Sequence, residues 1–221
     1  MKLQIVVALG VLFLVSQVSA QENLVLKNQK DKVSYIIGMN IGNDLKRQSI
    51  DISPKILAEG VQQALAGSKP LLTEQEIQET MMAFQKEMMA KQKERGDAFL
   101  AENKKKEGVK TLPSGLQYKV IKAGTGKKPK LNDTVMTHYR GTLIDGTEFD
   151  SSYKRGQPVS FLVSGVLPGW TEALQLMEEG AKWQLFIPPN LAYGERGAGG
   201  VIGPNATLVF EIELVSIQEK K

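Results

Sequence analysis

The sequence predicts an α+β protein in two parts. An all-α region with a long connecting helix comes first, followed by an antiparallel β-sheet wrapped around one short helix. Three observations carry that reading. Residues 24–109 hold no strand-like alternation, and their apolar residues recur at spacings of three and four. Beyond Gly115 the chain changes to short runs rich in valine, isoleucine and aromatics, separated by turn residues. Within that second part, the convincing helical stretch is WTEALQLMEEG, residues 170–180, closed by Gly180.

At the start of the chain, Lys2 is followed by IVVALGVLFLV and then SQVSA, with Val18 and Ala20 spaced like a signal-peptidase site. The run is short and weakly flanked for a membrane span, so residues 1–20 read as a cleaved secretory signal. The mature chain is then expected to begin at Gln21 and to carry no membrane span. This predicts a periplasmic or secreted protein, with outer-membrane or cell-surface association as a further option.

Three helices are expected next. Val33, Ile36, Ile37, Ile41 and Leu45 fall on one face of the first. The second opens at Ser53-Pro54, a cap residue followed by proline at the first helical position, and stops at Gly67. Its apolar residues are Ile56, Leu57, Val61, Ala64 and Leu65. The third starts at Thr73-Glu74-Gln75-Glu76, a capping box, and meets no proline until Pro113.

A helix of roughly 35 residues there would be about 50 Å long. Its first half carries an apolar stripe of Ile77, Met81, Phe84 and Met88, whereas KQKERGDAFLAENKKKEG is mostly charged and reads as a solvated arm between two modules. Three helices of this size bury little surface by themselves. The stripe and the pairs Met81-Met82 and Met88-Met89 therefore predict a homodimer through residues 24–109.

In the second part LQYKVIK, TVMTHYRGTL, VSFLV, KWQLFIP and ATLVFEIELVSI are strand candidates, and Asp145-Gly146 is a hairpin signal. The expected division is residues 1–20 as signal, 21–109 as helical dimerisation domain and linker helix, and 110–221 as the sheet domain.

Composition excludes several chemistries. With no cysteine and one histidine, disulfides, thiolate zinc sites and cysteine nucleophiles drop out, and neither metal nor cofactor is expected. The net charge of +4 is spread evenly, 15 basic against 13 acidic groups in residues 1–109 and 13 against 11 in residues 110–221. A nucleic-acid partner is therefore not expected, since such binders concentrate their excess charge. GTGKK at 124–128 is a turn followed by Pro129, and GERGAGG at 194–200 is not followed by a helix, so neither reads as a phosphate loop. The Asn132 and Asn205 sequons read as incidental.

The lone histidine, His138, sits beside Tyr139 in THYRG and invites a general-base reading, because imidazole titrates near neutrality. Alternation along a strand points the two side chains to opposite faces. His138 is therefore expected to be a bystander if Tyr139 faces the ligand.

Four motifs then stand together in order and spacing: HYRGTLIDGTEFDSS, VLPGW, NLAYGERGAGGVIGPN and ATLVFEIEL. Over about residues 112–219 they resemble the FKBP-type peptidyl-prolyl cis-trans isomerase domain. The helical half is similar, more loosely, to the dimerisation region of secreted bacterial FKBPs of the macrophage-infectivity-potentiator type, through GMNIG, the ALAG helix end and the long arm.

The resemblance implies a peptidyl-prolyl isomerase acting on proline-containing exported polypeptides, with FK506- or rapamycin-like macrolides as inhibitors. It implies Tyr139, Phe149, Asp150, Trp170, Tyr193 and Phe210 as catalytic residues, and Arg155, Val166, Leu167, Val201 and Ile202 as substrate-binding residues. Val159 stands where many members carry an aromatic, and Ala198 occupies a loop position that is often bulkier. The alternative is a periplasmic chaperone whose helical dimer cradle holds unfolded clients, the isomerase activity being secondary. Trp183, on a strand with no pocket motif, is expected to be packing or surface.

Overall fold

The structure, a computed structural model, describes residues 24–218, so the expected signal segment 1–20 lies outside the described residues. Chain contacts divide it into two units, the first ending at Leu71 and the second beginning at Leu72.

The first unit holds helices α1 (Gln29–Arg47) and α2 (Pro54–Leu65). Asn28 caps α1 by accepting from the Asp31 N–H at 2.9 Å, and Asp31 at the start with Lys46 and Arg47 at the end complement the helix dipole. Ser53 caps α2. Its end is a Schellman turn: Gly67 takes a positive φ, and the N–H groups of Gly67 and Ser68 reach the carbonyls of Ala64 and Gln63. Neither helix has a buried residue, so the apolar face expected on α1 faces outward.

The second unit begins with α3 (Glu74–Asn103), 30 residues long. The expected capping box is formed, with Glu76 N–H to Thr73 Oγ1 at 3.2 Å and Thr73 N–H to Glu76 Oε2 at 2.8 Å. Backbone and hydroxyl donation from Thr73 holds the Glu76 carboxyl below its usual value.

The charged half of α3 is not solvated to its end, in contrast to the sequence expectation. Gly96, Phe99, Leu100 and Asn103 lie at spacings of three and four among the lysines, and this narrow face docks on the sheet. Gly96 and Asn103 are buried. A Cβ on Gly96 would come within 2.5 Å of Thr207 Oγ1, so glycine is what lets the helix approach. Phe99 meets Phe186 at 6.0 Å between ring centroids. Asn103 Nδ2 donates to Gln117 Oε1, and Gln117 Nε2 donates to the Leu100 carbonyl, each at 2.9 Å.

Seven antiparallel strands follow: β1 (Val109–Thr111), β2 (Gln117–Lys122), β3 (Thr134–Leu143), β4 (Glu148–Ser151), β5 (Val159–Leu162), β6 (Lys182–Ile187) and β7 (Leu208–Gln218). Their order is β1-β2-β6-β7-β3-β4, with β5 also paired to β3. The three-residue β1 was not anticipated.

Helix α4 (Pro168–Leu176) crosses one face of the sheet, burying Gly169, Trp170, Ala173 and Leu174 in a cluster with Leu185, Ile187, Leu208, Phe210 and Ile212. It stops short of the expected Gly180. Met177 is already extended, and Glu179 is drawn into a turn with residues 125–127 through its backbone N–H and carbonyl.

Candidate active site

Strand β3 runs between β7 and the β4/β5 pair, and its odd-numbered residues Val135, Thr137, Tyr139 and Gly141 face the core. Gly141 pairs with both Phe210 and Asp150 across the strands. A Cβ there would lie 2.6 Å from the Phe149 ring and 2.7 Å from the Phe210 ring. Glycine at this position therefore makes room for two aromatic walls, which meet edge to face at 5.4 Å.

Trp170 sits in the first turn of α4, which Pro168 starts and Leu167 precedes. Gly169 allows the close approach, since a Cβ there would be 2.7 Å from Ile187 Cγ2. The indole is held edge to face by three rings, Tyr139 at 5.2 Å, Phe210 at 5.1 Å and Phe161 at 5.7 Å. Such pairs fix a ring's orientation as well as burying it.

Beside this aromatic cluster lies a polar trio. The Tyr139 hydroxyl donates to Asp150 Oδ2 at 2.6 Å, Arg155 Nη1 donates to Asp150 Oδ1 at 2.5 Å, and Arg155 Nη2 donates to the Tyr139 hydroxyl at 2.6 Å. Burial pushes the Asp150 carboxyl up, but the Tyr139 hydroxyl and the Arg155 guanidinium together outweigh it and hold it below the usual carboxylate value. Burial, and then the bond to Asp150, raise the Tyr139 phenol. Hydrogen bonds to Asp150 and Tyr139 raise Arg155. The trio is thus an ionised pair joined through a neutral phenol at neutral pH.

Of the residues implied by resemblance, Tyr139, Phe149, Trp170, Val166, Leu167, Ile202 and Phe210 come together in or against one cluster, and Asp150 and Arg155 join it through Tyr139. Tyr193 and Val201 do not enter the cluster; they sit on the loop before β7, 40% and 49% exposed. That loop closes through a two-way backbone bridge between Ala198 and Ile202.

Phe161, which none of the sequence motifs singles out, packs against Tyr139 and Trp170. The alternation of VSFLV puts Val159, Phe161 and Val163 on one face, and that signal was available. Trp183 is packing, buried and stacked on Tyr118 at 4.3 Å. His138 is on the opposite face from Tyr139, stacked on Tyr153 at 4.8 Å.

A second crevice, about 310 Å³, lies on the other side of the sheet under the end of α3, lined by Phe99, Asn103, Lys106, Lys119 and Phe186 among others. It contains none of the expected site residues.

Comparison with known proteins settles the family. Residues 125–215 match the family of FKBP-type peptidyl-prolyl cis-trans isomerases, and residues 30–120 match the domain found amino-terminal to it. The chain is 52% identical to the outer membrane protein MIP of Legionella longbeachae, with 88% of each covered.

The chain belongs to the FKBP-type peptidyl-prolyl cis-trans isomerases.

It is also 45% identical to the peptidyl-prolyl cis-trans isomerase Mip of Coxiella burnetii, with 88% of this chain and 90% of that one covered. Among solved structures it is similar to Escherichia coli FkpA at 42% identity and a TM-score of 0.59, covering 88% of this chain and 99% of the other. The FKBP reaction class, cis–trans isomerisation of peptidyl-prolyl bonds, is therefore that of this chain, and the chaperone alternative is not favoured.

Proposed function

We propose that the aromatic cluster around Trp170 seats the prolyl ring of a polypeptide and that the Asp150 trio biases the preceding amide toward its twisted form. The observation that carries this reading is the Trp170 indole fixed edge to face by Tyr139, Phe161 and Phe210, beside an ionised Asp150. No group is transferred in the reaction. The barrier, roughly 20 kcal/mol, is the lost amide resonance, and each ~1.4 kcal/mol of preference for the twisted state is a tenfold gain in rate.

Two effects push the same way. A planar amide carries negative charge on its oxygen, and twisting returns part of that charge to nitrogen. A fixed carboxylate near the oxygen therefore repels the planar form more than the twisted one. Apolar walls from Phe149, Phe210, Val166, Leu167 and Ile202 strip water from the amide, which also disfavours its charge-separated form. Arg155 and the Tyr139 hydroxyl keep Asp150 ionised and aimed.

The Leu167 backbone N–H and the Tyr193 hydroxyl are suited to donate to neighbouring substrate carbonyls, with Val201 shielding them. FK506- and rapamycin-like macrolides would occupy the same well. The test is kcat/KM on a Xaa-Pro peptide. Asp150→Leu and Phe210→Ala should each lower it at least tenfold, and wild-type values in both would overturn the assignment.

The proposed catalytic module spans residues 110–221, and the proposed homodimer forms through residues 24–109. Support for the dimer comes from large apolar side chains left outward on the helices, including Ile36, Ile37, Ile56, Val61, Leu65, Met81 and Met82. Sedimentation of residues 21–221 should give twice the chain mass; a monomer at micromolar concentration would refute it.

Export to the periplasm or beyond is supported by the signal-like residues 1–20 and by the resemblance to the outer membrane protein MIP. Proline-containing exported polypeptides would then be the substrates. Cell fractionation that leaves the chain in the cytosol, uncleaved, would contradict this placement. Among the described residues no helix is long and apolar enough to cross a membrane.

A further inference from the structure

Ser152 follows β4 and is fully buried, and its hydroxyl spans the backbone of Tyr139. The Tyr139 N–H donates to Ser152 Oγ at 2.7 Å, and Ser152 Oγ lies 3.2 Å from the Tyr139 carbonyl, which also accepts the Ser152 N–H at 2.9 Å. Tyr139 N–H therefore bonds to a side chain at the point where β3 meets the end of β4. On the opposite face of β3, His138 Nδ1 lies 3.0 Å from the same Ser152 Oγ.

We propose that Ser152 is a positioning residue for Tyr139, and that His138 sets the direction in which the Ser152 hydroxyl donates. This rests on the site reading given above, in which Tyr139 aims Asp150.

A serine hydroxyl has one hydrogen and can accept two. It already accepts from the Tyr139 N–H, and it has two candidates for its own hydrogen, the Tyr139 carbonyl and His138 Nδ1. An imidazolium, or the Nδ1–H tautomer, donates to Oγ and turns the hydroxyl hydrogen onto the Tyr139 carbonyl. Ser152 then clamps both backbone groups of Tyr139. The Nε2–H tautomer accepts the hydrogen instead and leaves the clamp one bond weaker. Tyr139 carries the hydroxyl that holds Asp150 Oδ2, so the strength of the clamp bears on where the carboxylate points.

Other charged and titratable groups face His138 as well. Tyr153 stacks on the ring, and Glu213 stands opposite in the β3–β7 register. Lys182 lies over the Tyr153 ring and pairs with Glu211. Arg140, on the same face of β3, pairs with Glu148, which also takes Lys154. Strand β5 contributes no titratable side chain.

The experiment is a protease-free isomerase assay on a Xaa-Pro peptide, kcat/KM against pH, with thermal unfolding of each variant. Ser152→Ala should lower kcat/KM roughly fivefold to tenfold, on the scale of one positioned hydrogen bond, and Ser152→Thr should recover most of it. The wild type should lose about twofold from pH 5.5 to 8, as the clamp bond is lost in part of the molecules. That step should vanish in Ser152→Ala and in His138→Phe, which keeps the stack on Tyr153. A wild-type kcat/KM in folded Ser152→Ala overturns the proposal. So does a step that persists in His138→Phe, which decides the matter even if Ser152→Ala does not fold. Phe210→Ala is run beside them: a wild-type value there would sink the site assignment itself, whereas an impaired Phe210→Ala with an unchanged Ser152→Ala sinks the positioning role alone.

Discussion

Helices α1 and α4 are both amphipathic, yet they differ completely in what they cover. α1 spans 19 residues and buries none of them, whereas α4 spans nine and buries Gly169, Trp170, Ala173 and Leu174. The apolar grammar is similar, so periodicity by itself does not say where a face finds its cover. α4 is folded back onto strands of its own chain, and its cap residue Leu167 packs against the aromatic cluster. The faces of α1 and α2 find no such cover among the described residues of their unit.

Phe210→Ala tests the covered side of that contrast most severely. Losing a buried ring that touches both Trp170 and Phe149 should cost about 3–5 kcal/mol in chemical denaturation, together with the loss of isomerase activity. Gly141→Val comes next. Its new side chain would have to displace the Phe149 and Phe210 rings, costing about 1–3 kcal/mol and closing the well. A wild-type kcat/KM for that variant would mean the two walls are not needed.

The uncovered side is tested by Ile37→Asp with Val61→Asp. The double variant should keep wild-type kcat/KM on a short peptide while halving the mass in sedimentation. An unchanged mass would break the comparison, since the exposed face would then be plain surface. Thr73→Ala, removing half of the α3 capping box, should cost about 1 kcal/mol wherever the helix is covered.

The smallest effect concerns pH. The folded Asp150 pKa is depressed, so the stability it contributes is full above the ordinary carboxylate value of about 3.9 and is lost as pH falls through the lower folded value. Asp150 and Arg155 are both substantially exposed, which limits this contribution to under about 1 kcal/mol. The difference in stability between wild type and Asp150→Asn should therefore shrink on going from pH 7 to pH 3; a constant difference would show that the pair is not ionic in effect.

The sequence made the sheet legible where strands are long and alternate. TVMTHYRGTL matches β3 from Thr134 to Leu143, because half-burial writes a period of two into the residues. Strand β1 has three residues and draws its identity from pairing with β2, so no local pattern could reveal it. The end of α3 was misread because a four-residue docking face is outvoted by the lysines around it, and Gly96 looks like a weak helix residue until Thr207 is placed against it. In the cluster, Tyr139, Phe149, Trp170, Phe210 and Asp150 were legible through motif resemblance, whereas Phe161 was not. Ser152 was not, since its work is done on backbone atoms across a strand junction whose register a sequence does not display.

The docked end of α3 also governs how this protein can be divided. A fragment cut at residue 110, inside β1, would strip the cover from Phe186 and leave the Gln117 side chain facing water without Asn103 or the Leu100 carbonyl. A fragment that starts one turn before Gly96 carries that cover with it. The shortest soluble catalytic piece should therefore begin inside the helix rather than after it.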